Sequence, residues 1–149
     1  MYSSGIMVYD KSTRYVLLGR SQGSWSPFVG KSEPGDEDII ETAIREFNEE
    51  TCRSCILDRK TFDECLMYKY LSKTPTGMDC YLFVLDYWGG LGGVSARFRE
   101  KRAIETRDAY LEKDTVRWIH SEVVYGMRLR RSFRGDYKAI LEGFIHSPP

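Results

Sequence analysis

The chain has 149 residues, and its 22 lysines and arginines balance 22 aspartates and glutamates, so its formal net charge is zero. That length suits one ordinary domain, residues 1–149, with a substantial hydrophobic core. No run approaches the roughly 18 consecutive apolar residues that a membrane span needs. The short apolar run of "MYSSGIMVYD" has no basic residue ahead of it. We therefore expect no secretory signal and a cytoplasmic protein, with the nucleus as the alternative.

The first part of the chain predicts a β-hairpin, a long loop and a helix. "GIMVYD" and "RYVLLGR" are rich in β-branched and aromatic residues and predict two strands joined by a turn at "DKST". Residues 21–38 are rich in Gly, Pro and Ser and predict a functional loop. A helix is predicted over 38–51, with Asp36 or Asp38 as its cap. Its apolar residues at helical spacing are Ile40, Ala43, Ile44 and Phe47.

The remainder of the chain predicts more strands and a closing helix. "ECLMYKYLSK" and "MDCYLFVLDYW" predict strands on either side of the turn "TPTG". "WGGLGGVSARFREKR" predicts a flexible connection, "DTVRWIH" another strand, and "RGDYKAILEGFIHS" an amphipathic helix. The fold class is therefore α/β, an α+β mixed sheet with at least two helices packed against it.

The four cysteines permit a structural zinc interpretation, which other features of the sequence do not support. "CRSC" at residues 52–55 has ligand spacing, but no second pair at that spacing follows and neither histidine stands at zinc-finger spacing. Free thiols are the expectation.

"REFNEE" at residues 45–50 places three carboxylates on one helix. At 100° per residue from Ile40, Glu49 falls at about 180°, Glu46 at about 240° and Glu50 at about 280°, at the border of the apolar stripe. Like charges at this spacing cost about 0.2–0.5 kcal/mol per exposed pair. Arg45 can pair with Glu49 but does not neutralise three carboxylates. A solvated acidic face is one interpretation, and a hard divalent cation bound by oxygen ligands is the other.

The loop that leads into this helix favours the second interpretation. "GKSEPGDE" followed by "REFNEE" resembles the signature of the Nudix hydrolases: Gly, five residues, Glu, seven residues, then Arg-Glu-U-x-Glu-Glu-x-Gly-U, where U is bulky and apolar. The resemblance covers about 23 residues from Gly30. It implies the Nudix α/β/α sandwich and hydrolysis within a diphosphate or longer phosphate chain.

Two departures from the signature carry consequences. Six residues separate Gly30 from Glu37, so either the loop carries one extra residue or Asp36 takes the place of the first Glu. Cys52 replaces the Gly that follows Glu-Glu, where a left-handed residue would end the helix, so the helix either runs on or ends differently.

The resemblance also implies roles for individual residues. Glu46 and Glu50 would bind Mg²⁺ or Mn²⁺, and the carbonyl of Gly30 would complete the site. Glu49 would add a ligand or deprotonate the attacking water, with Arg45 orienting it. A further acid stands six residues before a late Trp in several family members, and Glu112 has this position relative to Trp118.

The substrate is predicted from charge and from a second resemblance. Residues 1–96 carry 10 basic and 14 acidic residues, whereas residues 97–138 carry 12 basic and 7 acidic ones. Arginines cluster in "RFREKR" and "RLRRSFR", which favours an RNA backbone over a small nucleotide. "WSPFVGK" is similar to a run that precedes the signature in decapping and dinucleoside polyphosphate hydrolases, and "REFNEET" is similar to the signature in viral decapping enzymes. The expected substrate-binding residues are Lys31, Trp25, Phe28, Arg97, Arg99, Arg128 and Arg130.

The leading hypothesis is an mRNA cap hydrolase that acts on capped RNA and releases 7-methyl-GDP. One alternative is a hydrolase of small nucleotides, such as dinucleoside polyphosphates, nucleotide sugars or damaged nucleoside triphosphates. An alternative of another class is a non-catalytic RNA-binding module, whose sequence mark would be the loss of Glu46, Glu49 or Glu50, and all three are present.

Overall fold

The computed structural model describes residues 1–87 and 92–140. Its strands are β1 (Ser3–Asp10), β2 (Tyr15–Ser21), β3 (Ser24–Ser26), β4 (Phe28–Lys31), β5 (Leu66–Lys73), β6 (Asp79–Leu85) and β7 (Thr115–His120). Its helices are α1 (Ile39–Glu50), α2 (Arg59–Cys65), α3 (Val94–Ile104), α4 (Ser121–Val124) and α5 (Arg131–Arg134), and residues 108–110 form one turn of 3₁₀ helix. Residues 137–140 are helical as well.

The described strands form one mixed sheet in the order β3-β2-β1-β6-β5, with β4 paired to β1 and β7 to β2. β1 is parallel to β6 and antiparallel to β2 and β4. Every residue of β1 is buried, and this strand holds the centre of the sheet. Because successive side chains of a strand point to opposite faces, β1 contributes side chains to two separate cores.

Each face of the sheet has its own helical cover. Ile6 and Val8 of β1 pack with Phe47 of α1, Phe62 of α2 and Phe98 of α3. Met7 and Tyr9 belong to the second core, together with three residues of the C-terminal segment, Phe133, Tyr137 and Ile140. The predicted α/β/α sandwich is therefore confirmed.

Several predicted elements are confirmed. The first two strands form the expected hairpin, with Asp10 paired to Tyr15 across its turn. α1 begins after Asp38, whose side chain accepts a hydrogen bond from the Glu41 amide, so Asp38 is the cap. β5, β6 and β7 lie where strands were predicted. Within the predicted helix over 134–147, residues 134 and 137–140 are helical, and residues 141–147 lie outside the described part of the chain.

Four elements correct the sequence prediction. The loop predicted over 21–38 contains β3 and β4, whose short Gly- and Ser-containing sequences are held extended by pairing with β2 and β1. The predicted flexible connection contains α3, which buries only Val94 and Phe98 and so has a weak apolar period. α2 was not predicted, because it buries only Phe62.

None of the helices in the described residues combines the length and the apolar character needed to cross a bilayer.

Candidate metal and active site

α1 is fixed at the edge of the first core by aromatic packing. The Phe47 ring meets the Phe28 ring edge-on, with centroids 5.3 Å apart, and both rings are fully buried. Burying an aromatic side chain contributes about 1.5–3 kcal/mol relative to leaving it exposed. This contact fixes the rotation of α1 about its axis, and Glu46 and Glu50 therefore lie at the margin of the core.

The C-terminal end of α1 has the conformation that the glycine of the signature would allow, although Cys52 stands in its place. The amide of Cys52 donates to the Glu49 carbonyl and the amide of Arg53 to the Asn48 carbonyl, each at 2.9 Å, which is the Schellman pattern. Cys52 accordingly has φ 53°. A non-glycine residue in this region costs roughly 1–2 kcal/mol, which burial of the Cys52 side chain in the first core helps to offset. The helix therefore ends where the signature ends it.

None of the four cysteines belongs to a cluster of possible metal ligands among the described residues. Cys52 and Cys55 are buried free thiols, and Cys65 and Cys80 are also free. Burial raises the pKa of the Cys55 thiol to about 11, so it remains protonated at neutral pH. The expectation of free thiols is confirmed.

Gly30 on β4 lets the helix approach the sheet closely. A Cβ atom at this position would lie 2.1 Å from the Glu46 carboxyl carbon and 2.2 Å from its Oε2. Any side chain would therefore displace Glu46, and the absence of one explains the glycine at the start of the signature.

Arg45 organises the acidic residues around it. Its Nε and Nη2 donate to the two oxygens of Asp36 at 3.0 and 2.9 Å, and Nη2 also donates to the Lys31 carbonyl. Its Nη1 donates to Glu46 Oε1 at 3.0 Å and to Glu49 Oε2 at 3.3 Å. The guanidinium thus connects the β4 loop to both carboxylates of the helix.

Asp36, rather than Glu37, is the acidic residue that holds Arg45. The Asp36 side chain is 4% exposed and also accepts hydrogen bonds from the Thr42 hydroxyl and the Glu33 amide. Arg45 holds the pKa of Asp36 at about 2, well below its ordinary value. Glu37 is exposed. Of the two alternatives that the spacing left open, the geometry supports the one in which Asp36 takes the position of the first Glu.

Three carboxylates converge beside Gly30. One oxygen each from Glu46, Glu50 and Glu112 lies within 4.8 Å of the others. Among the described residues, these three form the cluster that could hold a metal ion. Glu46 and Glu50 are 8% and 2% exposed, whereas Glu112 is exposed on the loop before β7. Glu49 is not part of this group and instead pairs with Arg45. The structure therefore brings Glu112 to the two glutamates predicted as ligands.

The electrostatics of the cluster are unfavourable in the absence of a cation. Burial raises the pKa of Glu46 to about 7, with Arg45 opposing the shift and Glu49 adding to it. Burial also raises the pKa of Glu50 well above its usual range, against the attraction of Lys113 and with repulsion from Glu46 and Glu112. The pKa of Glu49 is raised mainly by burial. Two buried acids thus resist ionisation unless positive charge is supplied.

The residues present fit a hard divalent cation. Glu50 Oε2 is buried and accepts no hydrogen bond from the described residues, although a buried carboxylate oxygen normally has a partner. All candidate donors are oxygens, which Mg²⁺ and Mn²⁺ both accept.

Lys113 is a buried cation that sequence analysis did not identify. It is 3% exposed, and its Nζ donates to the Ser26 hydroxyl at 2.7 Å. Burial lowers its pKa, while the nearby Glu50 raises it. Lys113 lies on the loop before β7 and therefore supplies part of the positive charge close to Glu50. Its position directly after Glu112 was the available signal.

Arg102 on α3 holds the loop that carries Glu112. Its Nε donates to the Lys113 carbonyl at 2.6 Å and its Nη2 to the Leu111 carbonyl at 3.1 Å. These two carbonyls flank Glu112 on either side. Arg102 belongs to "RFREKR", whose arginines predict contact with RNA. Its guanidinium instead donates to main-chain carbonyls of this protein.

Three of the predicted substrate-binding residues make contacts within the protein instead. Phe28 is fully buried and Trp25 is 8% exposed, because both pack in the cores, so neither offers a free face for stacking. The Arg97 guanidinium donates to the Ser54 and Gly92 carbonyls and ties α3 to the turn after α1. These three expectations are corrected.

The other predicted substrate-binding residues are accessible. They are Lys31, Arg99, Arg128 and Arg130. Lys31 and Arg130 both line a cavity of about 260 Å³ that also reaches Gly30. Of the four, Lys31 and Arg130 are therefore available as cationic contacts close to Gly30.

We expect Asp36→Asn to lower the free energy of unfolding by about 2 kcal/mol, since it removes a largely buried, bidentate partner of Arg45. Urea unfolding of the metal-free protein measures the effect. Glu37→Gln is the matched control and should change stability by less than about 0.5 kcal/mol, because Glu37 is exposed. A larger loss in Glu37→Gln than in Asp36→Asn would contradict this assignment.

Comparison with known proteins agrees with the architecture. A Caenorhabditis elegans Ap4A hydrolase, solved as a binary complex, is 15% identical with a TM-score of 0.60, over 96% of this chain and 98% of that one. The Nudix hydrolase RenU from M. smegmatis is 13% identical with a TM-score of 0.61, over 99% and 88%. The NUDIX domain of Shewanella oneidensis NrtR, complexed with ADP ribose, is 15% identical with a TM-score of 0.56, over 97% and 86%.

These identities show a shared fold. No curated protein sequence matches the chain. The family model described as the NUDIX domain matches residues 1–124, which include the sheet, α1 and the Glu112 loop. The chain therefore belongs to the Nudix family of pyrophosphohydrolases.

Proposed function

We propose that the protein cleaves a phosphoanhydride bond in the 5′ cap of mRNA and releases 7-methyl-GDP. The observation that carries the hydrolytic part is the convergence of Glu46, Glu50 and Glu112 beside the Arg45–Glu49 pair. The observation that favours a capped RNA is the group of exposed arginines at 128, 130 and 131, of which Arg130 lines a cavity that reaches Gly30.

The residues of the chain divide the work of hydrolysis. Mg²⁺ or Mn²⁺, when bound by Glu46, Glu50 and Glu112, would supply positive charge to the phosphate oxygens and lower the pKa of a bound water. Glu49, held by Arg45, accepts the proton of the attacking water. The water oxygen then bonds to phosphorus while the bond to the bridging oxygen breaks, and the departing phosphate carries the electron pair. The Gly30 carbonyl is the proposed fourth ligand.

The basic residues support an RNA substrate. Arg128, Arg130 and Arg131 are exposed within seven residues of one another, and none of the described acids forms an ion pair with them. Phosphate contacts from such arginines supply much of the affinity for nucleic acid. Arg130 also lines the cavity that reaches Gly30, so the charge lies near the proposed cleavage point.

A small-nucleotide substrate is the second candidate. The fold likeness to an Ap4A hydrolase and to a NUDIX domain complexed with ADP ribose supports it, because Ap4A and ADP ribose each contain adenosine attached to a phosphoanhydride. This candidate needs few of the basic residues, and it predicts efficient cleavage of free nucleotides with little effect of salt. A non-catalytic RNA-binding module predicts binding without turnover.

The test incubates the protein with Mg²⁺ or Mn²⁺ and capped RNA, the cap dinucleotide and a panel of small nucleotides. We expect 7-methyl-GDP from capped RNA and a loss of at least about a hundredfold in rate with Glu49→Gln, since a positioned general base contributes about that much. Turnover of none of the substrates, or equal turnover by the variant, would contradict the mechanism.

Salt and the basic segment separate the two enzyme candidates. Between 50 and 200 mM salt, capped RNA should lose affinity steeply while the cap dinucleotide changes little, because only the RNA body releases many counterions. The double variant Arg128→Gln/Arg131→Gln should weaken capped RNA at least about tenfold and leave the dinucleotide unaffected. Equal effects on both substrates would favour the small-nucleotide function.

We also expect Glu112→Gln to slow hydrolysis without unfolding the domain. Arg102→Gln should lower kcat about tenfold with KM unchanged, and this loss of rate corresponds to about 1.4 kcal/mol in the activation free energy. Arg102 acts by positioning Glu112, so the two changes combined should cost no more than Glu112→Gln alone. Glu100→Gln, an exposed residue of the same helix with no predicted role, is the control. Additive losses, or an unaffected Glu112→Gln variant, would contradict the role of this loop.

A further inference from the structure

The cavity of about 260 Å³ lies on the sheet face opposite α1. Its apolar lining comes mainly from second-core side chains on β4, β5, β6 and the C-terminal segment: Val29, Tyr70, Leu82, Phe133 and Ile140. Its volume is just below the roughly 300–1,000 Å³ typical of pockets for drug-sized ligands. An apolar cavity of this size suits one planar ring system rather than a whole dinucleotide.

The cavity borders the carboxylate cluster at Gly30. This glycine lines the cavity, and the Glu46 carboxyl group lies directly against it, where a Cβ atom would stand. Lys31, Lys73 and Arg130 line the cavity as well and are exposed. A ring inside the cavity, attached to a phosphate chain that runs past Lys31 and Arg130, would direct its phosphates around Gly30 toward Glu46. The occupant that fits is the base of a nucleotide.

One acid, Asp136, lines the cavity together with apolar, hydroxyl-bearing and cationic residues. Asp136 is half-buried, and its Oδ1 accepts a hydrogen bond from the Tyr70 hydroxyl at 3.2 Å. Among the described residues, no hydrogen bond or ion pair is formed by Asp136 Oδ2. A carboxylate offers acceptors only, so it selects a ligand edge with adjacent N–H donors.

Guanine has such an edge, since its ring N1–H and its exocyclic amino group point the same way. Adenine presents its unprotonated ring N1 beside a single amino group, and that nitrogen would face a carboxylate oxygen with no proton between them. A site built to hydrogen-bond a donor discriminates strongly against a ligand that lacks it, because its polar group is then left unpaired.

We propose that this cavity is a base-binding pocket and that Asp136 selects guanine over adenine. The proposal rests on the proposed function in its assumption that the ligand is a nucleotide whose phosphates reach Glu46. It concerns a residue outside the carboxylate cluster and the Arg45 pair, so it can be tested without turnover.

The test measures binding of GDP and of ADP by isothermal titration calorimetry, in the presence of Mg²⁺, to the Glu49→Gln protein, which should not consume the ligand. GDP should bind at least about tenfold more tightly than ADP. Adding Asp136→Asn should reduce GDP affinity at least about tenfold and leave ADP affinity within about twofold. Retained ADP binding also shows that the variant is folded. Asp63→Asn, an exposed acid on α2, is the matched control and should keep the preference.

Equal binding of GDP and ADP, binding of neither, or a preference that survives Asp136→Asn would overturn the proposal. These outcomes are distinct from a failure of the proposed function. If no substrate is hydrolysed but GDP is preferred through Asp136, the pocket assignment stands and the catalytic assignment falls. If hydrolysis proceeds without any dependence on the base, the reverse holds.

Discussion

The structure depends on one electrostatic constraint: Glu46 and Glu50 are buried next to each other with too little positive charge to balance them. Removing an ionised carboxylate from water costs several kcal/mol when no partner replaces the solvent. Arg45 supplies a partner for one oxygen of Glu46 but divides its remaining donors among Asp36, Glu49 and the Lys31 carbonyl. Lys113 offsets part of the charge of Glu50, and Glu50 Oε2 still lacks a hydrogen bond among the described residues.

The surrounding fold keeps Glu46 and Glu50 buried and close together. The Phe28–Phe47 contact sets the rotation of α1, and the absence of a side chain at Gly30 lets Glu46 lie against β4. Cys52 adopts a left-handed conformation that ends the helix directly after the last carboxylate. Apolar residues at these two positions would avoid the cost of burying charge, so the acids are understandable only through the function proposed for them, metal binding and catalysis.

The sequence predicted the parts of the site that depend on local spacing. The helix period alone placed Glu46, Glu49 and Glu50 relative to the apolar stripe. The resemblance to family members that carry an acid six residues before a late Trp identified Glu112 as the fourth acid. The choice between Asp36 and Glu37 required the path of the loop, because both are acidic and adjacent. Phe28 and Trp25 were misjudged because an aromatic residue in a Gly- and Pro-rich loop looks accessible until β-sheet pairing buries it.

Residues that act through long-range contacts could not be found in this way. Arg97 and Arg102 looked like RNA-binding charge, but their guanidinium groups bond to main-chain carbonyls that the tertiary fold brings to α3. Asp136 meets Tyr70 across 66 residues of sequence. Lys113 reaches Ser26 across 87 residues. Sequence patterns report periodicity and short spacing, whereas these contacts follow from the order of strands in the sheet.

The central claim is that the unbalanced carboxylates form a cation site, and crystals grown with Mn²⁺ test it most directly. Anomalous diffraction near the manganese absorption edge should show a peak within coordination distance of Glu46, Glu50 and Glu112, and the peak should be absent from crystals of the Glu50→Gln protein. An empty cluster in well-ordered crystals, or a manganese ion bound only at other residues, would contradict the account.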